Sequence, residues 1–306
     1  MRVAHFSDLH VLSLDGLSRT RLLNKRFTGW VNLKLKREHK HRPGYVRAIA
    51  REITRAKVDH VVITGDLTNL ALEAEFEATR RLLEDDLHLD PEHVTVVPGN
   101  HDLYTRGSLR TRRFTQFFDH YLRSDLPDLV VDSGLGRFPV VKLRGPIAFI
   151  GLTSAVPRPP LVASGRLGAE QLAALERVLD HPEVRRRTPV VALHHPIHNP
   201  PSRLKTLVEG LWDADQLVAA LHRVDHALVL HGHLHGRMQR AVERVTGNIL
   251  AVGATSASLH HADAHRMAGF NLYDLDESGL LANVEAHVFD PTREAFHVES
   301  VPKLVA

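Results

Sequence analysis

Aspartate, asparagine and histidine residues are grouped at short spacings in five places along this chain of 306 residues. The groups are Asp8-Leu9-His10, Gly65-Asp66-Leu67-Thr68-Asn69, Gly99-Asn100-His101-Asp102, His194-His195-Pro196 and Gly232-His233-Leu234-His235. Carboxylate, carboxamide and imidazole side chains bind metal ions, and imidazole also transfers protons near neutral pH. The chain has 23 histidines and no cysteine, which excludes thiolate-bound zinc, iron–sulfur clusters and a cysteine nucleophile. Metal-dependent or acid–base chemistry is therefore expected.

Each of these groups follows a short apolar run that is typical of a buried β-strand. The runs cover residues 3–6, 61–64, 94–97, 190–193 and 227–230, with a further run at 147–150. Amphipathic helical patterns alternate with the runs, at residues 45–57, 72–87, 111–122, 169–179 and 214–221. This alternation predicts an α/β fold with a largely parallel sheet, whose strand ends carry the ligand-binding loops.

The helical pattern stops after about residue 236, and the rest of the chain is rich in predicted strands. Strand-like segments lie near residues 239–252, 268–275, 280–289 and 295–301. We expect these segments, from about residue 237 onward, to add strands to the sheets, with antiparallel pairing as one option.

The mixture of side chains in the five groups indicates a particular kind of metal site. Oxygen and imidazole ligands without sulfur suit Mn, Fe, Zn or Co rather than Cu(I) or a calcium cage. About seven candidate ligands exceed the four of a tetrahedral zinc site, and match two metal ions about 3.5–4 Å apart that share a bridging carboxylate. Such a centre clamps a phosphoryl group and generates a hydroxide for in-line attack.

Taken together, the five groups resemble the calcineurin-like metallophosphoesterase family. They occur in that family's order across residues 8–235, about three quarters of the chain. One group alone would be a weak signal, whereas five in order at predicted strand ends are specific. The resemblance implies a four-layer α/β/β/α sandwich with two central mixed sheets, formed by a single domain over residues 1–306.

The resemblance also implies that seven side chains hold two divalent or mixed-valence metal ions. The first ion would be held by Asp8, His10, Asp66 and His235. The second would be held by Asp66, as the bridging ligand, with Asn100, His194 and His233. His194 is chosen over its neighbour His195 because the family's ligand usually lies two residues before the proline, and His195 remains the alternative.

Three further residues receive roles from the same resemblance. His101 would contact the phosphoryl group without binding metal and would protonate the leaving oxygen. Asp102 would orient His101 from behind. Asn69 would brace the Asp66 loop rather than touch a metal.

The detailed motifs indicate a branch of the family. His-His-Pro together with Gly-Asn-His-Asp is most similar to the bacterial cyclic-nucleotide and glycerophosphodiester phosphodiesterases. The lipid-A-pathway pyrophosphatases usually have arginine in place of His101, which weakens the case for that substrate. Residues 254–257, followed by His260 and His261, stand where related enzymes have a substrate-side loop. Hydrolysis of phosphoesters, with a preference for phosphodiesters, is therefore expected.

Positive charge is concentrated in residues 19–42, within a basic, amphipathic insertion predicted at about 12–43. Nine Lys or Arg residues and one Glu give residues 19–42 a charge of +8, although the whole chain carries only +3. The segment could be a solvated cap, a surface for an anionic membrane or lipid-like substrate, or a nucleic-acid patch. Only Phe27 and Trp30 are available there for base stacking, which disfavours nucleic acid.

Three alternatives to a small-molecule phosphodiesterase remain open. They are a metal-dependent nuclease, a phosphoesterase or pyrophosphatase acting on lipid-linked substrates at a membrane surface, and a metal-free scaffold. The complete set of candidate ligands argues against the scaffold. The sequence shows no signal-peptide pattern and no apolar stretch long enough to span a bilayer. A cytoplasmic location is expected, with or without peripheral membrane association, and no oligomeric state is predicted.

Overall fold

A computed structural model describes residues 1–13, 41–103, 106–132, 136–242 and 247–304. Most of the basic segment 19–42 lies outside these ranges. The strands of the described residues are β1 (Arg2–Phe6), β2 (His60–Ile63), β3 (Val94–Val96), β4 (Val131–Asp132), β5 (Arg137–Phe138), β6 (Val140–Arg144), β7 (Ile147–Gly151), β8 (Thr188–Ala192), β9 (His226–His231), β10 (Met238–Val242), β11 (Asn248–Gly253), β12 (Gly269–Leu275), β13 (Leu281–Asp290) and β14 (Ala295–Ser300).

Helices connect most of the parallel strands. They are α1 (Pro43–Arg55), α2 (Glu73–Asp86), α3 (Arg106–Arg110), α4 (Arg113–Phe118), α5 (Ala169–Asp180), α6 (Pro182–Arg185), α7 (Arg203–Glu209) and α8 (Ala214–Leu221). Short 3₁₀ turns lie at Pro91–His93, Asp119–Leu122 and Pro127–Leu129. None of the helices that the structure describes is long and apolar enough to cross a membrane.

The strands form two six-stranded mixed sheets and a small two-stranded one. The first sheet has the order β14-β13-β12-β1-β2-β3, with parallel pairing between β1, β2 and β3 and antiparallel pairing between each of the remaining neighbours. The second has the order β10-β11-β9-β8-β7-β6, with β7, β8, β9 and β11 parallel and the two edge strands antiparallel. The carboxyl ends of the parallel strands in both sheets carry the loops that contain the five groups.

The buried apolar side chains form two cores, and the first of them covers both faces of the first sheet. Adjacent residues of β8 point into different cores: Val190 belongs to the core that also contains the first sheet and α1, and Val191 to the core beneath α5 and α8. This division follows from the two-residue period of a strand, which sends successive side chains to opposite faces of a sheet. The predicted α/β/β/α sandwich with two central mixed sheets is confirmed.

Most predicted elements are present. The six strands predicted from apolar runs correspond to β1, β2, β3, β7, β8 and β9, and four of the five helices to α1, α2, α5 and α8. The helix predicted over 111–122 is instead α4 followed by a 3₁₀ turn, because Arg112 has a φ of 49° and interrupts the helix. The strands after residue 236 pair antiparallel, except that β11 is parallel to β9.

Glu75 ties the start of α2 to the loop that leaves β2. Its Oε2 accepts hydrogen bonds from the backbone N–H of Leu70 at 2.8 Å and of Leu72 at 3.0 Å. Burial raises the pKa of Glu75 to about 8, although the hydrogen bonds favour the charged form. The unfolded chain releases this proton near the ordinary pKa, so stability should fall as pH rises from there through about 8.

Substituting Glu75 by glutamine tests this coupling, because the amide oxygen can still accept the hydrogen bonds but carries no charge. We expect Glu75→Gln to gain stability relative to the parent on going from pH 5 to pH 9, by about 2 kcal/mol or more. Urea unfolding at the two pH values measures the difference. Glu77→Gln is the control, since Arg80 lowers the pKa of the partly exposed Glu77 and keeps it charged across this range. Equal behaviour of the two variants would contradict a raised pKa at Glu75.

Candidate metal centre

The five groups identified in the sequence come together where strands of the two sheets end. Asp8 and His10 follow β1, Asp66 follows β2, and the 99–102 group follows β3 in the first sheet. The 194–196 group follows β8, and the 232–235 group follows β9 in the second sheet. The backbone joins these loops, because the N–H of His10 donates to the carbonyl of Asp66 at 2.9 Å and that of Gly232 to His194 at 3.0 Å.

Left-handed backbone conformations are concentrated in this place. Five of the seven predicted ligands have positive φ: Asp8 (53°), His10 (47°), Asp66 (50°), His233 (69°) and His235 (50°). A non-glycine residue in this region costs about 1–3 kcal/mol and persists only where the surrounding structure enforces it, typically at functional sites. The strain therefore marks these loops as shaped for their side chains.

Four side chains converge on one volume. Nε2 of His235 lies 3.0 Å from Asp8 Oδ1 and 3.2 Å from Nε2 of His10. Nε2 of His10 lies 3.8 Å from Asp8 Oδ1 and 3.9 Å from Asp66 Oδ2. Ligand atoms about 2.1 Å from one metal ion are separated by about 3.0–3.4 Å at octahedral or tetrahedral angles, so the closer pairs have the spacing of metal ligands.

A second set lies on the other side of Asp66. Nε2 of His194 is 3.5 Å from Asp66 Oδ2 and 3.1 Å from Asn100 Oδ1. Nδ1 of His194 donates to the carbonyl of Thr64 at 2.7 Å, which fixes the ring and directs Nε2 toward the cluster. Because Oδ2 of Asp66 faces both His10 and His194, this carboxylate lies between the two sets.

His233 borders the second set. Its ring centroid is 5.1 Å from that of His194, and its Nε2 donates to the carbonyl of Glu209 at 2.9 Å. Nδ1 is therefore the nitrogen with which His233 would bind a metal. His195 differs, because Nδ1 lies 2.8 Å from Ser154 Oγ and Nε2 donates to the Ala163 carbonyl. The structure thus directs His194, and not His195, into the cluster.

The side chains that are present fit a pair of metal ions. Asp8, Asp66 and His194 form one group whose ligand atoms all lie within 4.8 Å of one another, and Asp8, His10 and His235 form another. Asp8 Oδ1 is buried and accepts no hydrogen bond of good geometry from the described residues, although His235 Nε2 lies close to it. A buried carboxylate oxygen needs a cationic partner, and an ion held between these atoms would supply one.

The electrostatics of the cluster favour ionised carboxylates. Burial by itself raises the pKa of Asp66, but His194, then His101 and His10, bring it well below its usual range. The pKa of Asp8 is likewise lowered, mainly by His235, against the effect of burial. Both carboxylates are therefore charged and able to bind a cation.

Two glycines allow the loops to approach so closely. A Cβ on Gly99 would lie 2.2 Å from both the backbone N and Oδ1 of Asp66. A Cβ on Gly232 would lie 2.4 Å from Asp8 Oδ2. Only glycine fits these positions without displacing a predicted ligand.

The structure corrects the prediction for Asp102. Nδ1 of His101 donates to the backbone carbonyl of Asn69 at 2.7 Å, so Asn69 and not Asp102 orients the ring. The carboxylate of Asp102 instead accepts from the N–H groups of Leu67, Thr68 and Gly99 and from the Thr68 hydroxyl. Asp102 thereby fastens the Asp66 loop to the Asn100 loop.

His101 itself lies at the cluster. One of its ring nitrogens falls within 4.8 Å of a nitrogen of His10 and an oxygen of Asp66, and its ring centroid is 5.0 Å from that of His10. This place suits either contact with a bound phosphoryl group or metal binding.

His41 reaches the same cluster and was not predicted. Its ring centroid lies 5.0 Å from that of His10 and 6.0 Å from that of His235, and its Nδ1 is 2.7 Å from Ser258 Oγ. In the sequence His41 stands among basic residues far from any of the five groups, so no local pattern indicated it.

The predicted substrate-side loop supports the site from behind. Ser256 Oγ donates to the carbonyl of Asp8 at 2.6 Å, and the N–H of Ala257 donates to that of Ser7. His260 is exposed and lies 3.0 Å from the hydroxyl of Tyr45. Residues 254–257 therefore position Asp8.

Known proteins are similar to this chain in sequence profile and in fold. Residues 1–237 match the sequence profile of the family described as calcineurin-like phosphoesterase. A dimetal phosphatase from Danio rerio has a similar fold, with 15% identity and a TM-score of 0.56 over 94% of this chain and 95% of that protein. A purple acid phosphatase from yellow lupin (Lupinus luteus) seeds is also similar, with 12% identity and a TM-score of 0.61 over 99% of this chain and 54% of that protein.

These similarities have definite limits. At such identities they show a shared fold, and this chain spans about half the length of the lupin enzyme. A search among curated proteins found no match.

Proposed function

Because the chain belongs to the calcineurin-like phosphoesterase family, we propose that it hydrolyses phosphoesters with the help of two metal ions. The observation that carries this proposal is the position of Asp66 Oδ2, 3.9 Å from Nε2 of His10 and 3.5 Å from Nε2 of His194. A carboxylate between two sets of ligands is what a two-metal centre requires.

In this proposal the chain is a single-domain enzyme with one metal centre, and its ligands are assigned from the geometry of the two sets. One metal would be held by Asp8, His10, Asp66 and His235, and the other by Asp66, Asn100, His194 and His233. Mn, Fe, Zn and Co all suit this mixture of oxygen and nitrogen ligands. When bound, the ions would supply a hydroxide nucleophile and offset negative charge on the phosphoryl group.

His101 would hold the proton for the leaving group. Its Nδ1 is fixed by the Asn69 carbonyl, so Nε2 is the atom that would carry the proton to the departing oxygen. An alkoxide is a poor leaving group, and protonation as the bond to phosphorus breaks avoids releasing it as an anion.

We favour phosphodiesters over phosphomonoesters as substrates. The support is the combination of His194-His195-Pro196 and Gly99-Asn100-His101-Asp102, which resembles enzymes that cleave cyclic nucleotides and glycerophosphodiesters. The charge of +8 in residues 19–42 supports two alternatives. One is a nuclease, and the other is a cytoplasmic enzyme that acts on lipid-linked substrates at a membrane surface.

A panel of substrates tests the proposal. The full chain, loaded in turn with Mn, Fe, Zn or Co, is assayed on phosphomonoesters, cyclic nucleotides, glycerophosphodiesters and DNA. We expect at least one metal to support hydrolysis, with the phosphodiesters cleaved fastest. Salt-sensitive cleavage of DNA above all other substrates would establish the nuclease alternative instead. No hydrolysis of any substrate with any metal would refute the proposal.

A further inference from the structure

Exposed apolar side chains are concentrated on one side of the metal centre. Nine large apolar residues of the described chain are exposed. Five of them lie in two segments that meet near His233, and a sixth follows His233 directly in the chain. We call these six the apolar rim: Leu161, Leu204, Leu207, Val208, Trp212 and Leu234. Large exposed apolar patches on a soluble protein usually mark a surface that binds something.

Backbone hydrogen bonds show that the rim is continuous. The N–H of Ala163 donates to the carbonyl of Val208 at 2.7 Å, and that of Gly165 to Gly210 at 2.9 Å. The turn that carries Leu161 therefore lies against the end of α7. At that end, the carbonyl of Glu209 accepts the hydrogen bond from His233 Nε2, which places Leu234 next to the helix. The rim is thus attached directly to a predicted metal ligand.

Helix α7 presents apolar side chains to the solvent. None of its seven residues is buried, yet Leu204, Leu207 and Val208 stand at the i, i+3 and i+4 spacing that forms one face of a helix. Leu161, at the tip of the adjoining turn, is 91% exposed. These side chains project outward from the surface. They therefore suit insertion into the hydrocarbon region of a lipid bilayer better than binding in a preformed pocket of a partner protein.

Cations accompany the apolar side chains. Arg203 and Lys205 flank Leu204 on α7, and the guanidinium of Arg158 lies 3.6 Å from the centre of the Trp212 ring. Glu209 is the only acidic residue of α7. Interleaved basic and apolar side chains, with a tryptophan at the edge, match the headgroup region of an anionic bilayer.

We propose that the apolar rim docks the protein onto an anionic phospholipid bilayer. Docking through Leu161, Leu204 and Leu207 would hold the side of the centre formed by His194 and His233 close to the membrane surface. The inference extends the proposed function, because a site held there would act on phosphoesters carried by lipids. It is independent of residues 19–42, since each residue of the rim belongs to another part of the chain.

Sedimentation with vesicles tests the docking. The full chain is mixed, in the presence of a chelator, with vesicles of phosphatidylglycerol and phosphatidylcholine, so that no metal can link the protein to lipid phosphate. We expect the parent to sediment with the vesicles and Leu204→Glu/Leu207→Glu to bind at least about 10-fold more weakly. The matched control is Val298→Glu/Leu304→Glu, which changes two residues exposed to a similar degree outside the rim, and it should bind as the parent does.

The outcomes separate docking from catalysis. Hydrolysis of a soluble nitrophenyl phosphodiester by the metal-loaded Leu204→Glu/Leu207→Glu variant should match that of the parent. A parent that stays in the supernatant, a rim variant that still sediments, or a control that fails equally would each overturn the docking. So would a dimer in solution that the rim variant dissociates, because a second copy would then cover the rim. Vesicle binding by a chain that hydrolyses nothing would support docking while refuting the proposed function.

Discussion

Replacing Asp66 by asparagine is expected to lower phosphoester hydrolysis at least about 100-fold, and to abolish most of the rise in melting temperature on adding metal. Asparagine is the right substitute because it tolerates the φ of 50° at this position, and its side-chain oxygen can still accept the hydrogen bond from the N–H of His101. What is lost is the negative charge between His10 and His194. The measurement compares melting curves with and without metal, alongside the rate.

Asp213→Asn is the matched control for this variant. Asp213 is also buried, and it accepts hydrogen bonds from the N–H groups of Leu167 and Gly168 away from the cluster. Its substitution should lower the baseline stability but leave the metal-induced rise in melting temperature intact. A full metal response in Asp66→Asn would show that Asp66 does not bridge two ions.

The second large effect is expected at His101. His101→Asn can keep the hydrogen bond to the carbonyl of Asn69 but has no ring nitrogen to donate a proton. Turnover of a substrate with an alkoxide leaving group should fall by roughly 10²–10⁴-fold. A nitrophenyl ester should suffer much less, because nitrophenolate departs without a proton. The ratio of the two rates measures the proton transfer directly.

Metal content distinguishes the two roles open to His101. Retention of metal together with a leaving-group-dependent loss identifies the proton donor. Equal losses for both substrates would rule out proton donation, and a parallel loss of metal would make His101 a ligand instead. His195→Asn is a useful comparison, since His195 is buried next to His194 but bonds to Ser154 and Ala163. It should not change the ratio of the two rates.

The sequence predicted the core of the fold because the strands are short and apolar, and most of them contain valine or isoleucine. Runs such as residues 190–193 and 227–230 stand between helical segments, so strand and helix periods could be separated. The candidate site was predictable for the same reason: its residues follow these strands directly. The left-handed conformations of Asp8, Asp66 and His235 could not be predicted, because only tertiary contacts enforce them on such residues.

Other features depend on contacts between distant segments. The Asn69 carbonyl orients His101 in place of Asp102. Asp102 is adjacent to His101 in sequence, but its carboxylate already accepts hydrogen bonds from four donors. His41 contacts His10 from a segment in which the sequence pattern indicates only a concentration of positive charge. The apolar rim arises where the turn at Leu161 meets α7, and neither segment is notable alone. Each depends on long-range packing that periodicity does not encode.

Metal content is the most direct test of the central claim, that this chain holds a two-metal centre. The purified full chain is stripped with chelator, reloaded with Mn, Fe, Zn or Co, freed of excess ion and analysed by elemental mass spectrometry against protein concentration. We predict about two ions per chain with at least one of these metals. Fewer than about one ion per chain with every metal would contradict the account.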